Sequence, residues 1–289
     1  MNEAAWIAVD WGTSHLRAWR MSADDRAIEK RSSDAGMAGL ERDQFEPALK
    51  ALIGSVNVPV IACGMVGSRQ GWAEAPYETV PCRPPDASRA TVVGNVRILP
   101  GIRQLNPEDV MRGEETQIAG FLAAHPDFDG VVCLPGTHTK WVHISAGEIV
   151  SFRTAMTGEL FGLLSTASVL RHSVDASWSN DAFCAAVNDA MSKPEMLAAR
   201  LFNIRAHGLL KNAQAGEARA RLSGALIGAE LAATRVFWLG QAVAIVGETE
   251  LAQIYATALG AQHVQVLRAD GDEMTLRGLI AAKSAMELT

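Results

Sequence analysis

The stretch AWIAVDWGTSHLRAWRM (Ala5–Met21) decides how the chain begins to fold. Ala5–Asp10 is apolar and β-prone, the run breaks at the polar tip Trp11–Ser14, and Leu16–Met21 resumes the apolar pattern. Two such runs joined by a short turn predict a β-hairpin, and Ala27–Ser33 adds a third strand to its sheet.

An α/β layer follows this hairpin. Gln44–Ile53 has helical spacing, and Val58–Cys63 reads as a buried strand. Gly64–Arg97 is rich in Gly, Pro and turn residues, which predicts loop with short strands. Loops of that length are uncommon unless they have a function, so we expect this segment to contact a substrate.

The design is repeated from about Val110. Glu114–Ala124 predicts a helix, Gly130–Leu134 a buried strand, Gly136–Thr139 a polar tip and Lys140–Ile144 a returning strand. Each half of the chain therefore carries an apolar strand, a Gly-Thr tip and a returning strand with a basic residue and a Trp. After a further strand the pattern is helical. It ends in an alternation of strand, helix, strand and helix at Ala242–Val246, Leu251–Leu259, His263–Leu267 and Met274–Met286.

Composition excludes several classes of function. The chain has 289 residues, 48% hydrophobic content and a net charge of −6, without the Lys/Arg patches that nucleic-acid binding needs. The most apolar of the long segments, Leu222–Val246, is interrupted by Glu230, Arg235 and Gln241 and predicts a buried helix and strand, so no membrane partner is expected. Met1–Gly12 does not resemble a signal peptide, which favours a cytoplasmic location. Neither a disulfide framework nor a zinc site is expected, because the cysteines are single: Cys63, Cys82, Cys133 and Cys184.

The first tip combines the parts of a polyphosphate cradle. Gly12 lets backbone N–H groups approach an anion, Thr13 and Ser14 add hydroxyls, and Asp10 is placed to hold Mg²⁺ through its waters. A common β-turn explains one such tip equally well. Two tips, each opening one half of the chain, favour the functional interpretation.

These motifs resemble a known superfamily. Val9–Trp19 resembles the first phosphate motif of the actin/hexokinase sugar kinases, and Leu134–Trp141 (LPGTHTKW) resembles the second. More narrowly, the chain resembles the 2-dehydro-3-deoxygalactonokinase family. The other matching segments are Gly64–Trp72 (GMVGSRQGW), Ala75–Tyr77, Val110–Gln117 (VMRGEETQ), Phe152–Leu160 (FRTAMTGEL) and Ser223–Glu230 (SGALIGAE).

The resemblance implies a two-lobed α/β fold of the actin/hexokinase, ribonuclease H-like type with a central cleft. It also implies transfer of the γ-phosphate of ATP, with Mg²⁺, to the 6-hydroxyl of 2-dehydro-3-deoxy-D-galactonate. We expect residues 1–109 to form the lobe that binds the sugar acid and residues 110–289 the lobe that binds adenosine. The C-terminal helix is expected to pack back on the N-terminal lobe.

A base for the sugar hydroxyl is expected near the start of the helix at Glu114. In related kinases a carboxylate after Gly at this place, usually Asp, takes the hydroxyl proton. Here Glu114 and Glu115 both qualify, and spacing to Gly120 slightly favours Glu114. The alternative is that acidic residues in a first turn only complement the helix dipole, which explains one of the two.

Arginines are the expected partners of the substrate carboxylate, because the guanidinium fork suits a carboxylate. Arg69, Arg112 and Arg153 are the candidates, and for each a plain surface position is the alternative. The glycine-rich loop adds further substrate contacts: Gly64, Met65, Ser68 and Trp72.

The second tip and a later strand end are the expected nucleotide contacts. The predicted phosphate-binding residues of this tip are Gly136, Thr137, His138, Thr139 and Lys140. The predicted adenosine-binding residues are Gly247, Glu248 and Thr249, with Leu251 and Tyr255 on the following helix. Gly224 and Gly228, four residues apart, serve either helix packing or the nucleotide.

Two rival functions stay open at this stage. One is a kinase of the same fold for another 2-keto-3-deoxy sugar acid or a ketose. The other is a non-catalytic sugar-sensing regulator, although no DNA-binding segment is visible and Asp10, Glu114 and Glu115 are retained. Homo-oligomerisation is left open by the sequence.

Overall fold

A computed structural model describes residues 4–54, 57–211 and 216–287. The described residues form two compact units. The first comprises Met1–Asp129, Ile144–Phe152 and Asp270–Thr289, and the second comprises Gly130–His143 and Arg153–Ala269. The division into lobes at residues 109 and 110, with its ligand assignments, stays a prediction.

The first unit is built on a six-stranded sheet and a smaller three-stranded one. Its main elements are β1 (Trp6–Trp11), β2 (Leu16–Met21), β3 (Ala27–Ser33), α1 (Phe45–Ile53), β4 (Val60–Cys63), β5 (Tyr77–Thr79), β6 (Thr91–Val93), β7 (Val96–Ile98), β8 (Gly101–Leu105), β9 (Glu108–Met111) and α2 (Glu114–Ala124). The strand orders are β3-β2-β1-β4-β7-β6 and β5-β8-β9.

The rest of the chain supplies a five-stranded sheet and most of the helices. Its main elements are β10 (Gly130–Leu134), β11 (Thr139–Ser145), β12 (Glu148–Ala155), α3 (Thr157–Thr166), α4 (Asn180–Ser192), α5 (Leu197–Leu210), α6 (Glu217–Ala233), α7 (Arg235–Trp238), β13 (Val243–Gly247), α8 (Thr249–Gly260), β14 (Val266–Asp270) and α9 (Gly271–Glu287). The strand order is β12-β11-β10-β13-β14.

The two large sheets share one strand order. In each, the third strand lies beside the second, the second beside the first, and the first beside the next strand along the chain, which follows one or more helices. β1 pairs antiparallel with β2 and parallel with β4, and β10 pairs parallel with β13. The predicted hairpin at the N-terminus and the repeated design are confirmed.

The central strand β1 is buried on both faces. Ile7 and Val9 pack into the cluster that includes Phe45 of α1, whereas Trp6 and Ala8 belong to a cluster with residues of α9. A strand covered by a helix on each side reads as continuously apolar, which explains its sequence.

Glycines set the spacing of α2 and α9. A Cβ on Gly120 would collide with the carbonyl of Met274, and one on Gly278 with the carbonyl of Thr116. The two helices therefore touch through their backbones, and this contact joins the last helix of the chain to the helix that carries Glu114.

The contact between α4 and α6 likewise depends on glycines that let the two helix backbones touch. A Cβ on Gly224 would lie 2.5 Å from the Phe183 carbonyl oxygen, and one on Gly228 would lie 2.6 Å from that of Val187. Of the two alternatives left open for these glycines, the structure shows helix packing.

No helix in the described ranges is long and apolar enough to cross a membrane.

Candidate active site

The first tip, between β1 and β2, is braced through its backbone. The N–H groups of Met37 and Ala38 donate to the carbonyls of Gly12 and Thr13, each at 3.0 Å. The side chains of Thr13 and Ser14 are exposed. The tip thus keeps a fixed backbone and turns its hydroxyls outward, as an anion contact requires.

Asp10 lies where β1 ends, and its carboxylate is largely buried. Arg17 donates to Asp10 and also to Asp272 at the start of α9, while Lys30 Nζ lies 2.6 Å from Asp272. Burial raises the pKa of Asp10, and the Arg17 guanidinium opposes that rise. The Cys63 Sγ lies 3.9 Å from the second carboxylate oxygen.

The donor set around Asp10 bears on its predicted role as a metal ligand. Among the described residues, no group of three or more His, Cys, Asp or Glu side chains could hold a metal ion. Mg²⁺ commonly takes only one or two carboxylates and keeps several waters, often together with substrate phosphates. A single Asp10 carboxylate therefore fits Mg²⁺ that is held mainly by water and nucleotide.

Glu114 and Glu115 occupy different environments at the start of α2. Glu114 is half-buried, and its Oε2 accepts the Arg112 backbone N–H at 3.0 Å. Glu115 is 1% exposed, and both its oxygens accept the Gly113 N–H, at 2.8 and 2.7 Å. Burial, helped by the neighbouring charge of Glu114, raises the pKa of Glu115 to about 8.

Two glycines bring Asp10 and the start of α2 together. Gly64 (φ 92°) and Gly113 (φ 110°) adopt backbone conformations that side chains rarely allow. A Cβ on Gly64 would lie 2.8 Å from the Trp11 carbonyl oxygen and 3.3 Å from Asp10 Oδ1, and one on Gly113 would lie 3.5 Å from the Cα of Gly64. The structure therefore places Asp10, Gly64 and the Glu114 helix in one neighbourhood.

Arg112 differs sharply from Arg69. It is 8% exposed, donates through Nη2 to the Ala75 carbonyl at 2.8 Å and lies over the Tyr77 ring at 4.3 Å. Its Nε and Nη1 have no hydrogen-bond partner in the described part of the chain, and neither has the buried Ser68 Oγ. The Arg69 side chain is 80% exposed and lies 3.5 Å from Glu74.

The other predicted substrate contacts are less distinctive. Trp72 stacks on Phe45 at 6.2 Å and contacts Trp11 at 6.1 Å, so these aromatic rings pack with the core. Met65 is half-buried. Arg153 is an exposed residue of β12 and belongs to the second unit.

Of the phosphate contacts predicted in the second tip, some are exposed and others are buried. Thr137 and His138 are exposed, and His138 Nε2 lies 2.6 Å from Glu159 at the start of α3. Thr139 is fully buried, with its hydroxyl 2.9 Å from that of Tyr255. Lys140 is 5% exposed. Gly136, half-buried, precedes them and lines a cavity.

That cavity, of about 110 Å³, is mostly apolar and lies in the second unit. Its lining residues are Gly136, Thr157, Gly158, Phe161, Trp178, Arg219, Ser223, Leu226, Ile227, Leu251, Ile254 and Tyr255. The sequence indicated Gly136, Leu251 and Tyr255 but missed the aromatic walls Phe161 and Trp178. Trp178 stands outside the regular helices, and no local motif marked it.

The predicted adenosine residues lie at the junction of β13 and α8, and α8 contributes Leu251, Ile254 and Tyr255 to the cavity. Gly247 ends β13 and is buried near Pro135, and Glu248 caps α8 by accepting the N–H groups of Glu250 and Leu251 at 3.0 and 3.1 Å. Thr249 lines a neighbouring cavity of about 540 Å³ that shares Trp178 with the first.

The shared sheet order and the two hairpin tips define a protein of the actin/hexokinase-type fold, the fold of many sugar kinases. Residues 10–282 match the family described as 2-keto-3-deoxy-galactonokinase, and the chain belongs to that family.

Individual relatives agree over nearly the whole chain. The 2-dehydro-3-deoxygalactonokinase of Escherichia coli (strain K12) is 37% identical over 96% of both chains. A Rhizobium meliloti (strain 1021) protein assigned as 2-dehydro-3-deoxygalactonokinase DgoK1 is 39% identical over 97% of both. A crystal structure of a Sinorhizobium meliloti protein with the same assignment superposes with a TM-score of 0.88 at 38% identity, covering 97% of this chain and 99% of that one.

Proposed function

We propose that this protein transfers the γ-phosphate of ATP to the 6-hydroxyl of 2-dehydro-3-deoxy-D-galactonate. Membership of the 2-keto-3-deoxy-galactonokinase family over residues 10–282 supports the reaction. The observation that carries the proposal is the neighbourhood of Asp10, Gly64 and the Glu114 helix, because phosphoryl transfer depends on positioning and charge.

We assign Glu114 as the base that takes the proton of the sugar hydroxyl. It is the more exposed of the two carboxylates, and its pairing with the Arg112 N–H fixes its position at the first turn of α2. Glu115 is buried and accepts a hydrogen bond from the Gly113 N–H, so we assign it the structural role of stabilising the first turn of α2.

Arg112 is the proposed partner of the sugar-acid carboxylate. A buried guanidinium with two unpartnered donors is stabilised when an anion binds beside it. Both donors are shielded from solvent, and Nη1 lies close to Gly67, where an added Cβ would be 2.9 Å from it, so we expect that loop to shift on binding. Gly64, Met65, Ser68 and Trp72 remain proposed supporting contacts, and Arg69 and Arg153 weaker candidates.

Residues of both tips and the cavity in the second unit are the proposed ATP contacts. Adenine fits an apolar, aromatic-walled cavity. Gly247, Glu248 and Thr249, which precede the cavity residue Leu251 in the chain, remain proposed adenosine contacts. The phosphate contacts are Gly12, Thr13, Ser14, Gly136, Thr137, His138 and Lys140, whereas the Thr139 hydroxyl is already bonded inward. Mg²⁺ on Asp10 would supply charge stabilisation for the transferred phosphoryl group.

The test is a coupled ADP-release assay with a panel of acceptors. We expect 2-dehydro-3-deoxy-D-galactonate to have the highest kcat/KM, above other 2-keto-3-deoxy acids and above its neutral analogue with an alcohol in place of the carboxylate. Equal efficiency on the acid and the neutral analogue would overturn the sugar-acid assignment, because the analogue leaves the buried guanidinium unpaired. Phosphate should appear on the terminal hydroxyl, as read by NMR.

The proposed setting is that of a cytoplasmic enzyme with small-molecule partners, the sugar acid and ATP. A net charge of −6 gives no electrostatic basis for nucleic-acid binding. Size-exclusion chromatography with light scattering decides whether the protein forms a homo-oligomer.

A further inference from the structure

Glu230 of α6 is a buried carboxylate that the proposed reaction does not use. It is 5% exposed, and it accepts hydrogen bonds from Trp141 Nε1 at 2.7 Å, Tyr255 Oη at 2.8 Å and the Thr157 hydroxyl. These donors come from β11, α8 and the first residue of α3. Burial raises the pKa of Glu230, and the three donors oppose that rise.

The hydrogen bonds around Glu230 have a defined direction. Trp141 Nε1 is only a donor, and the Tyr255 O–H is committed to Glu230. The Thr139 hydroxyl, 2.9 Å from the Tyr255 oxygen, must therefore donate to it. One carboxylate thus orients two residues of β11, immediately after the second tip, and one residue each on α3 and α8.

The contacts of Glu230 connect three of the sequence segments that match the family. Thr139 and Trp141 belong to Leu134–Trp141, Thr157 to Phe152–Leu160, and Glu230 ends Ser223–Glu230. Thr157 and Tyr255 also line the cavity assigned to adenine, together with Gly136 of the tip. The carboxylate therefore fixes the wall of the cavity and the strand behind the tip at the same time.

We propose that Glu230 is a positioning residue for the nucleotide, whose hydrogen bonds hold the second tip, α3 and α8 in the arrangement that accepts adenosine and phosphates. This inference rests on the proposed function, because it takes the cavity as the adenosine site. It assigns no contact between Glu230 and the nucleotide.

The test is direct nucleotide binding to Glu230→Gln. Glutamine keeps the volume but replaces one acceptor by an N–H₂ donor. Because Trp141 Nε1 can only donate, the N–H₂ takes the place of Oε2, where both Thr157 and Tyr255 must reverse their hydroxyls. We expect the Kd for ADP, measured by calorimetry, to rise about tenfold or more, the scale for a lost bond to a charged group. The KM for the sugar acid should stay within about twofold.

A matched control lies on the same helix. Thr234 is 1% exposed, and its hydroxyl donates to the Glu230 backbone carbonyl, at 2.8 Å. Thr234→Val removes a buried hydrogen bond without touching the carboxylate, and its Kd for ADP should match wild type. If Thr234→Val weakens ADP binding as much as Glu230→Gln, general destabilisation explains both and the inference fails.

A second variant, Tyr255→Phe, keeps the inference testable if circular dichroism shows that Glu230→Gln does not fold. Tyr255→Phe breaks the link from Glu230 to Thr139 and should also raise the Kd for ADP, by at least about threefold. If a variant that folds binds ADP as tightly as the wild type does, the inference is overturned. Absence of sugar-acid turnover by a wild-type protein that binds ADP overturns the proposed substrate alone, whereas a wild type that does not bind ADP overturns both.

Discussion

Separate replacement of Glu114 and Glu115 by Gln should give two different outcomes. Glu114→Gln removes the proposed base, which contributes on the order of 10²–10⁴ to the rate, so kcat should fall by that factor with little loss of stability. Glu115→Gln should retain kcat within about tenfold. The Gly113 N–H contacts both Glu115 oxygens, so a glutamine oxygen still accepts it.

The pH dependence of stability gives this experiment its second readout. The pKa of Glu115 is about 8 in the fold, against an ordinary value of 4.5. Between these values the folded state keeps a proton that the unfolded state has released, so the stability of the apoprotein falls as pH rises from 4.5 to 8. A difference of that size corresponds to about 5 kcal/mol at most.

Glu115→Gln cannot ionise, so its stability should lack this contribution. Melting temperatures of wild type and variant, measured by circular dichroism from pH 5 to pH 9, should converge at low pH. At high pH the variant should be more stable, by up to roughly 10 °C for a chain of this size. Glu114→Gln is the matched control and should keep most of the wild-type slope, because burial, the larger cause of the raised pKa of Glu115, is unchanged and only the smaller effect of the Glu114 charge is lost.

Two results would refute this reasoning. A loss of kcat in Glu115→Gln as large as in Glu114→Gln would mean that the buried carboxylate takes the proton or is essential for placing the group that does. Parallel melting profiles for wild type and Glu115→Gln would mean that burial does not raise the pKa of Glu115.

Three further perturbations test the remaining assignments. Asp10→Asn should lower kcat more than roughly 100-fold at saturating Mg²⁺ with its circular dichroism spectrum unchanged, and near-normal turnover would contradict its metal role. Arg112→Ala should raise the KM for the sugar acid by about tenfold or more, since one charge-assisted hydrogen bond is worth about 1.5–3 kcal/mol. The exposed Arg69→Ala is its control and should change that KM less than about twofold; equal effects of the two variants would contradict the choice of Arg112. Trp178→Ala should raise the KM for ATP by about tenfold, the scale of base stacking on an aromatic ring, and an unchanged KM would place adenine elsewhere.

The elements that the sequence predicted well are those whose pattern is local. The hairpin of β1 and β2 follows from two apolar runs around a polar tip, and α2 begins and ends at the predicted residues because a Gly precedes it and its apolar spacing is regular. The short strands β8 and β9 were not identified, because each is half-exposed and they follow a long loop. The last strand was predicted at His263–Leu267 but is Val266–Asp270, displaced toward α9.

The candidate site was predictable in residue type but not in environment. Three arginines were equivalent in the sequence, and only tertiary packing makes Arg112 buried and Arg69 exposed. Similarly, Thr139 sits in a motif typical of phosphate binding, yet β11 begins there and directs its hydroxyl to Tyr255. Burial depends on partners far along the chain, which periodicity and motif spacing do not report.

Gly64 and Gly113 leave little room for a side chain at the candidate active site. At Gly64 a Cβ would press on the Trp11 carbonyl and approach Asp10, and at Gly113 the positive φ already disfavours other residues. Any larger residue at Gly64 must therefore move the β4 end away from Asp10, and with it the adjoining start of α2. The distance between the carboxylate proposed for Mg²⁺ and the carboxylate proposed as base is thus set by backbone contact. A backbone contact is stiffer than a pair of side chains, and this suits a reaction whose catalysis is chiefly positioning.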